Sequence, residues 1–285
     1  MSSIPESAAS AEPSRSAPRS RRFDWKNLAV RAASAAVLAP LAVAAVWFGG
    51  WLFLVVLAVT VSLLAIEWAM MSSPGVSVRL SGAVTATILL ALFAAYLGNY
   101  REAWMAVAGG AVLCGVAARA LGERAEHGAF GVVYIAAPIV ALAWLRDSPE
   151  GRGWTTLLFA VTWSADIGAF LIGSTLKGPK LWPRLSPNKT WSGAFGGLAT
   201  AALASILITQ VSNVRAPLWL AVTIGVAGGA ATMAGDLWES MLKRRYGVKD
   251  SGDLIPGHGG LLDRVDGLIF AILAVAAIRL VLLKV

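Results

Sequence analysis

The most polar stretch of an otherwise apolar chain runs from Lys249 to Gly267 and reads KDSGDLIPGHGGLLDRVDG. It holds several charged side chains, a histidine and a group of glycines, and hydrophobic sequence lies on both sides of it. Asp263 and Asp266 are three residues apart, so a helix that begins here would carry both carboxylates on one face. Mg²⁺ usually takes one or two carboxylates together with substrate phosphates as its ligands. The stretch therefore predicts chemistry on a charged, phosphate-bearing substrate.

Three more carboxylates lie inside segments that are otherwise apolar. Asp166 lies in TWSADIGAF, and Asp236 and Glu239 lie in AGDLWESMLKRR. Together with Ser240 and Lys243, the last two form a stripe of acid, acid, hydroxyl and base along one helix face. A charge at the centre of a membrane span costs about 3 kcal/mol on insertion scales, so ion binding or pairing must offset that cost.

These carboxylates predict an oxygen-rich metal site. Its expected ligands are Asp166, Asp236, Asp263 and Asp266. Cysteine is absent from this region and histidine occurs once in it, which argues against zinc. Two structural alternatives remain open: an ion pair with a neighbouring lysine or arginine, and stabilisation of a helix N-terminus by Asp263 and Asp266. Glu67, the only acidic residue well inside a span of the first half, is interpreted as a headgroup-level residue.

Two loops rich in glycine and proline predict phosphate binding. In PGHGG, Pro256 to Gly260, glycines let backbone N–H groups approach an anion, and the loop leads into a helix N-terminus. His258 could hydrogen-bond a phosphate or orient a carboxylate. In SPNKTWSG, Ser186 to Gly193, the Ser-Pro-Asn tripeptide is a turn signal and Lys189 is a compact charge suited to a phosphate. A solvated turn with a topological lysine is the alternative. Close helix packing is expected at Gly193, Gly196 and Gly197.

The elements that must position these residues are membrane helices. Of the 285 residues, 57% are hydrophobic and 14% are charged, whereas soluble domains have about 45–50% apolar and about 25% charged residues. A membrane helix needs about 20 mostly apolar residues. The candidate segments are 29–48, 51–70, 81–98, 103–121, 129–146, 154–173, 193–211, 217–240 and 264–283.

We therefore expect an all-α polytopic membrane protein with about nine transmembrane helices. Residues 1–27 are predicted to be a disordered basic tail, 28–150 scaffold helices, and 151–285 the catalytic region with two cytoplasmic loops.

The distribution of charge predicts the orientation of the chain. With a cytoplasmic N-terminus and all nine segments spanning, eighteen of the 24 Lys and Arg residues lie on the cytoplasmic side, as the positive-inside rule requires. The net charge of +8 is then directed at anionic membrane lipids, not at nucleic acid. The single cysteine, Cys114, lies in a predicted span and is interpreted as a small apolar filler. A secondary transporter that uses intramembrane carboxylates remains the alternative function.

The stretch from Ser240 to Asp266, SMLKRRYGVKDSGDLIPGHGGLLDRVD, resembles the signature of the phosphatidate cytidylyltransferases, also called CDP-diglyceride synthases. GDLWES before it, SPNKTW upstream and the segment around Asp166 are also similar to that family. The resemblance is close over about residues 160–285. The first 150 residues match only as a run of membrane spans.

The resemblance implies that CTP and phosphatidate react at the cytoplasmic membrane face to give CDP-diacylglycerol and pyrophosphate. It implies Mg²⁺, a possible second cation, a possible homodimer and a bacterial inner membrane. The residues expected to act in catalysis are Asp236, Asp263, Lys189, Lys243, Arg264 and His258. Those expected to bind substrate are Ser186, Asn188, Lys189, Thr190, Arg244, Lys249, Asp250, Gly257, Gly259 and Gly260.

Overall fold

The computed structural model describes residues 25–183, 185–252 and 259–284, with side chains from residue 36 onward except that of residue 38. Most of these residues are helical. The helices are α1 (Trp25–Phe48), α2 (Gly50–Ser72), α3 (Ser77–Tyr96), α4 (Tyr100–Ala120), α5 (Ala125–Asp147), α6 (Gly151–Leu176), α7 (Trp191–Val211), α8 (Leu218–Arg245) and α9 (Leu262–Leu282). The predicted tail over residues 1–27 lies almost entirely outside the described residues.

Eight of these helices, α2 to α9, are long and apolar enough to cross a membrane. Within the residues searched, α1 contributes only the shorter apolar stretch Ala39–Phe48. Many large apolar side chains, such as Phe48, Val112 and Phe170, are exposed on the outside of the bundle, which is the arrangement expected where lipid tails are the solvent. The prediction of an all-α polytopic membrane protein is confirmed.

A two-stranded antiparallel hairpin, which the sequence did not predict, connects α6 to α7. Its strands are β1 (Lys180–Trp182) and β2 (Ser186–Thr190), with Lys180 opposite Thr190 and Trp182 opposite Ser186. The expected turn at Ser-Pro-Asn is therefore wrong, because these residues lie within β2. Pro187 is compatible with this strand because each strand of a two-stranded sheet has an unpaired edge, where no N–H is needed. The hairpin gives the residues before α7 a fixed direction that a loop would lack.

Glycines allow α6 and α7 to pack backbone against backbone. A Cβ built on Gly193 would lie 2.8 Å from the Ala169 carbonyl oxygen, and one on Gly197 would lie 2.7 Å from that of Ala165. A Cβ on Gly196 would meet the side chain of Ile172 at 2.6 Å. The predicted packing role of these three glycines is confirmed, as is typical where membrane helices approach closely.

The contact between α8 and α9 is equally close. A Cβ on Gly235 would lie 2.3 Å from the Asp266 carbonyl oxygen, and one on Gly267 would lie 3.0 Å from that of Thr232. Because Gly235 and Gly267 leave no side chain between the helices, Asp236 and Asp266 are carried on facing backbones. This packing sets the distance between the carboxylates of the two helices.

We expect Gly235→Ala to lower the thermal stability of the detergent-solubilised protein, because the new methyl group would force the α8 and α9 backbones apart. Overpacking of this kind costs about 1–3 kcal/mol. Gly109→Ala, in α4, is the matched control, since no atom lies within 4 Å of a Cβ at Gly109. Equal melting temperatures for the two variants would contradict the proposed role of the close approach.

Aromatic side chains fix α2 against α5 and α8. The Trp68 ring lies 5.4 Å from that of Phe130 and 5.7 Å from that of Tyr246, measured between centroids. The Trp68 indole N–H also donates a hydrogen bond of 2.7 Å to the His127 carbonyl oxygen. Trp68 is fully buried, so the end of α2 that carries it has a defined rotation relative to the C-terminal end of α8.

Candidate active site

Lys243 and Asp263 form the central ion pair of the site. The Lys243 Nζ lies 2.5 Å from Asp263 Oδ1 and 3.4 Å from Glu239 Oε2. Lys243 and Glu239 are one helical turn apart on α8, and Asp263 lies in the first turn of α9. The predicted stripe on α8 therefore faces the predicted carboxylates of α9. Lys243, the base of the stripe, contacts both Glu239 of the same stripe and Asp263 of α9.

The second oxygen of Asp263 is held by the loop that precedes α9. Asp263 Oδ2 accepts hydrogen bonds from the Ser251 backbone N–H at 3.1 Å, the Ser251 hydroxyl at 3.0 Å and the Gly260 N–H at 3.3 Å. All of these donors and Lys243 favour the ionised carboxylate. Asp263 is thus fixed in position and orientation by two separate segments of the chain. Gly260 precedes Leu261, the N-cap residue of α9, so this contact fixes the loop before the helix. The alternative in which Asp263 stabilises the helix N-terminus stays open.

The hairpin brings a second lysine to a second carboxylate. The Lys189 Nζ, on β2, lies 2.6 Å from Asp236 Oδ2, on α8. Asp166, on α6, interacts electrostatically with both of them. Thr190 ends β2 and caps α7, because its Oγ1 accepts a hydrogen bond of 3.1 Å from the Gly193 N–H. Residues from three separate parts of the sequence therefore meet here.

Asp266 is within electrostatic range of both ion pairs. It interacts electrostatically with Asp236 of one pair and with Lys243 of the other. Glu239 is fully buried beside it, and Glu239 Oε1 has no hydrogen-bond partner among the described residues. The hydroxyl of Tyr134, on α5, is also buried and has no hydrogen-bond partner among the described residues, although it lies within electrostatic range of both acids. Nothing in the apolar sequence around Tyr134 indicated this position.

The donor chemistry of this region fits Mg²⁺. The four predicted ligands offer only carboxylate oxygens, and the unpartnered oxygen of Glu239 adds a further one, which is the set that hard divalent cations take. In the part of the chain that the structure describes, however, no three acidic, histidine or cysteine side chains lie close enough together to hold an ion. Lys189 and Lys243 occupy positions beside two of the predicted ligands. The metal remains a prediction.

The other predicted site residues lie on the same segments of the chain as these pairs. Arg244, Lys249 and Asp250 are exposed on the segment that leaves α8, and Arg264 is exposed in the first turn of α9. Asn188 is exposed on β2 and Ser186 is half-buried there.

Gly259 has a φ of 81°, a left-handed conformation that glycine adopts at no steric cost. Gly260 is buried. Gly257 and His258 lie outside the described residues.

Glu67 is a member of the site region that sequence reasoning missed. Its side chain is fully buried in the protein and accepts hydrogen bonds of 2.7 Å from the Leu261 and Leu262 N–H groups. A residue from the first half of the chain therefore contacts the segment that precedes α9. The interpretation as a headgroup-level residue named no such partners, and the depth of Glu67 in the membrane stays a prediction. A carboxylate inside an apolar span was the available signal, but only the tertiary contact identifies its partners.

Comparison with known proteins gives the same region a family. The model of the cytidylyltransferase family matches residues 29–282. The chain belongs to this family. The match begins in α1 and ends at the last residue of α9, so it includes the first half, where the sequence alone had shown only a run of spans.

Individual relatives are similar to about half of this chain. A phosphatidate cytidylyltransferase of Brucella suis is 48% identical over 145 residues, which are 50% of this chain and 53% of that protein. One of Staphylococcus epidermidis is 38% identical over 123 residues, 43% of this chain and 47% of its own. One of Rickettsia conorii is 36% identical over 159 residues, 53% of this chain and 69% of its own. The chain spans about half the length of the first two relatives.

Proposed function

We propose that this protein is a phosphatidate cytidylyltransferase, which converts CTP and phosphatidate into CDP-diacylglycerol and pyrophosphate. The observation that carries the proposal is the pair of Lys–Asp contacts, Lys189–Asp236 and Lys243–Asp263, with Asp266 interacting with both. Membership of the cytidylyltransferase family and the names of the relatives support it. Two lysine ammonium groups, each held beside a carboxylate, are suited to bind two phosphate-bearing substrates.

The proposed reaction needs positioning and charge stabilisation more than acid–base chemistry. An oxygen of the phosphatidate phosphate forms a bond to the α-phosphorus of CTP, and the bond from that phosphorus to the pyrophosphate oxygen breaks. The attacking oxygen is already anionic, so no strong general base is required. In phosphoryl transfer, proteins act mainly by alignment and by neutralising charge. Lys189, Lys243, Arg244 and Arg264 would supply the positive charge.

Asp166, Asp236, Asp263 and Asp266 would hold Mg²⁺. When bound, the ion would neutralise phosphate charge and orient the reacting oxygens. The lysine that now pairs with each aspartate could turn to a substrate phosphate, because a Lys ammonium lies at the end of a flexible four-carbon chain. The carboxylates then exchange one positive partner for another. A second cation is also proposed.

The remaining proposals concern the surroundings of the enzyme. The basic cytoplasmic surface would attract anionic lipids, and nucleic acid is not an expected partner. The protein would reside in a bacterial inner membrane with its site facing the cytoplasm, where CTP is made. A homodimer is proposed from the family resemblance.

The proposed function is tested with the purified chain in detergent, labelled CTP and phosphatidate, with and without Mg²⁺. We expect labelled CDP-diacylglycerol and pyrophosphate to form in equal amounts, only with the metal present. Absence of product from folded protein with Mg²⁺ would refute the proposed function. Product formation at the same rate after removal of divalent cations by a chelator would refute the metal requirement alone.

Orientation is tested by thiol labelling in intact cells. Cys114 is buried and its Sγ lies 3.5 Å from the Thr87 hydroxyl oxygen, so the serine of a Cys114→Ser background has a hydrogen-bond partner at hand. A cysteine placed at Pro179, which is exposed before β1, should resist an impermeant thiol reagent until the membrane is opened. A cysteine placed at Asn99, exposed between α3 and α4, should be labelled from outside. The opposite result would reverse the orientation that the positive-inside rule predicts.

A further inference from the structure

A carboxylate from the first half of the chain lies directly beneath the loop that joins α8 to α9. Glu67, near the end of α2, is 0% exposed. Its Oε1 accepts the Leu261 N–H at 2.7 Å, and its Oε2 accepts the Leu262 N–H at 2.7 Å. Oε2 also lies 3.4 Å from the oxygen of the Ser251 hydroxyl. Backbone N–H groups at the start of a helix favour an ionised carboxylate. These contacts give the buried charge its stabilising partners.

Both ends of the described loop close around this carboxylate. A Cβ on Gly252 would lie 3.2 Å from Glu67 Oε1, and a Cβ on Gly260 would lie 3.0 Å from Glu67 Oε2. Larger residues at these two positions would press on the acid. Glu67 therefore touches the chain where it enters the 253–258 segment and again where it leaves that segment.

The same two ends of the loop bind Asp263. The Ser251 hydroxyl lies within hydrogen-bonding distance of Glu67 Oε2, at 3.4 Å, and of Asp263 Oδ2, at 3.0 Å. The Gly260 N–H donates to Asp263 Oδ2 at 3.3 Å. Asp263 in turn pairs with Lys243. A continuous set of polar contacts thus leads from α2 to the central ion pair.

We propose that Glu67 is a positioning residue of the active site, which fixes the two ends of the α8–α9 loop and thereby the orientation of Asp263. The neighbouring Trp68 is anchored between Phe130 and Tyr246, so α2 offers the loop a rigid support. The role of Glu67 in turnover rests on the proposed function, whereas its hold on the loop does not.

Two substitutions of Glu67 test the proposal by hydrogen exchange. Glu67→Gln keeps one acceptor oxygen but turns an NH₂ group toward the other N–H, and Glu67→Ala removes both acceptors. A hydrogen bond to a charged group changes an equilibrium constant by about 10- to 150-fold. The Leu261 and Leu262 amides should therefore exchange at least about 10-fold faster in Glu67→Ala. Unchanged protection of both amides in both variants would overturn the proposal.

Steady-state kinetics distinguish positioning from a purely structural role. Misplacement of a catalytic group by about 1 Å can cost about 100-fold in rate. We therefore expect kcat per folded protein to fall about 10- to 100-fold in Glu67→Ala, with KM for CTP changed less than about 3-fold. Glu67→Gln should lie between Glu67→Ala and the unmodified chain. Wild-type kcat per folded molecule in Glu67→Gln and Glu67→Ala would overturn the proposal, as would an effect on KM alone.

Ser72→Ala is the matched control on the same helix. The Ser72 hydroxyl is buried and has no hydrogen-bond partner in the described part of the chain, so its loss should leave exchange and kcat unchanged. If Glu67→Ala fails to fold, Glu67→Gln carries both measurements. If the unmodified chain makes no CDP-diacylglycerol, the proposed function fails, and the exchange of the Leu261 and Leu262 amides still decides whether Glu67 holds the loop.

Discussion

We expect Asp263→Asn to lower kcat/KM for CDP-diacylglycerol synthesis by about 10²–10³, the usual loss when one electrostatic catalytic contact is removed. Asp263 accepts from Lys243 through one oxygen and from Ser251 and Gly260 through the other. An asparagine can accept on one side only, and its NH₂ group would face a donor on the other. It also leaves Lys243 without the negative charge that now lies 2.5 Å away. The measurement is steady-state synthesis at limiting Mg²⁺, normalised for folded protein.

Asp147→Asn is the matched control for Asp263→Asn. Asp147 ends α5, is exposed and accepts a hydrogen bond of 2.9 Å from the Tyr100 hydroxyl. Its substitution by asparagine therefore removes the same negative charge at a position away from the two ion pairs. We expect this variant to keep wild-type turnover. Asp236→Asn should behave like Asp263→Asn, because Asp236 is the partner of Lys189. Wild-type turnover in either site variant would remove that aspartate from the proposed machinery.

The second large effect is expected at Lys189. In the proposed function its ammonium contacts a substrate phosphate, and hydrogen bonds to charged groups are worth about 1.5–3 kcal/mol, so Lys189→Ala should lower kcat/KM about 10- to 150-fold. Lys189→Arg should recover only part of the loss, because a planar guanidinium does not replace a compact ammonium. Steady-state kinetics of variants normalised for folded protein give both values.

Lys180→Ala separates the role of Lys189 from that of the hairpin. Lys180 is exposed on β1, opposite Thr190 of β2, so the control removes a lysine from the same hairpin. It should keep wild-type kinetics. In the transporter alternative Lys189 is a topological charge, Lys189→Arg replaces it fully, and Lys189→Ala changes insertion but not turnover. Full activity of Lys189→Ala would exclude Lys189 from the site.

Sequence reasoning predicted the polar faces of α8 and of α9 because helical spacing is a local property. Asp236, Glu239 and Lys243 are spaced so that one helix carries them on the same face. The contact of Lys243 with both Glu239 and Asp263 confirms this arrangement. The cost of burying charge also indicated that these carboxylates must have positively charged partners. This argument does not distinguish a lysine from a metal ion as the partner. The structure shows lysines beside Asp236 and Asp263, whereas Mg²⁺ stays a prediction.

The β-hairpin shows why the local rule failed at Ser186 to Asn188. The tripeptide has strong turn character on its own, but pairing with residues 180–182 satisfies backbone groups and makes it part of a strand. Such pairing depends on a segment outside the motif. The consequence is functional, since β2 directs Lys189 toward Asp236.

The sequence by itself determined the membrane class, the number of long apolar segments to within one of the eight helices that qualify in the searched residues, and which side chains carry charge. These features depend on composition and on spacing along one segment, so they are readable without a fold. The tertiary structure alone decided that Glu67 contacts the α8–α9 loop, that the Tyr134 hydroxyl is buried within electrostatic range of Glu239 and Asp266, and that glycines let α8 and α9 touch. Each of these is a contact between residues far apart in the chain, and its energy comes from packing and desolvation that no single segment contains.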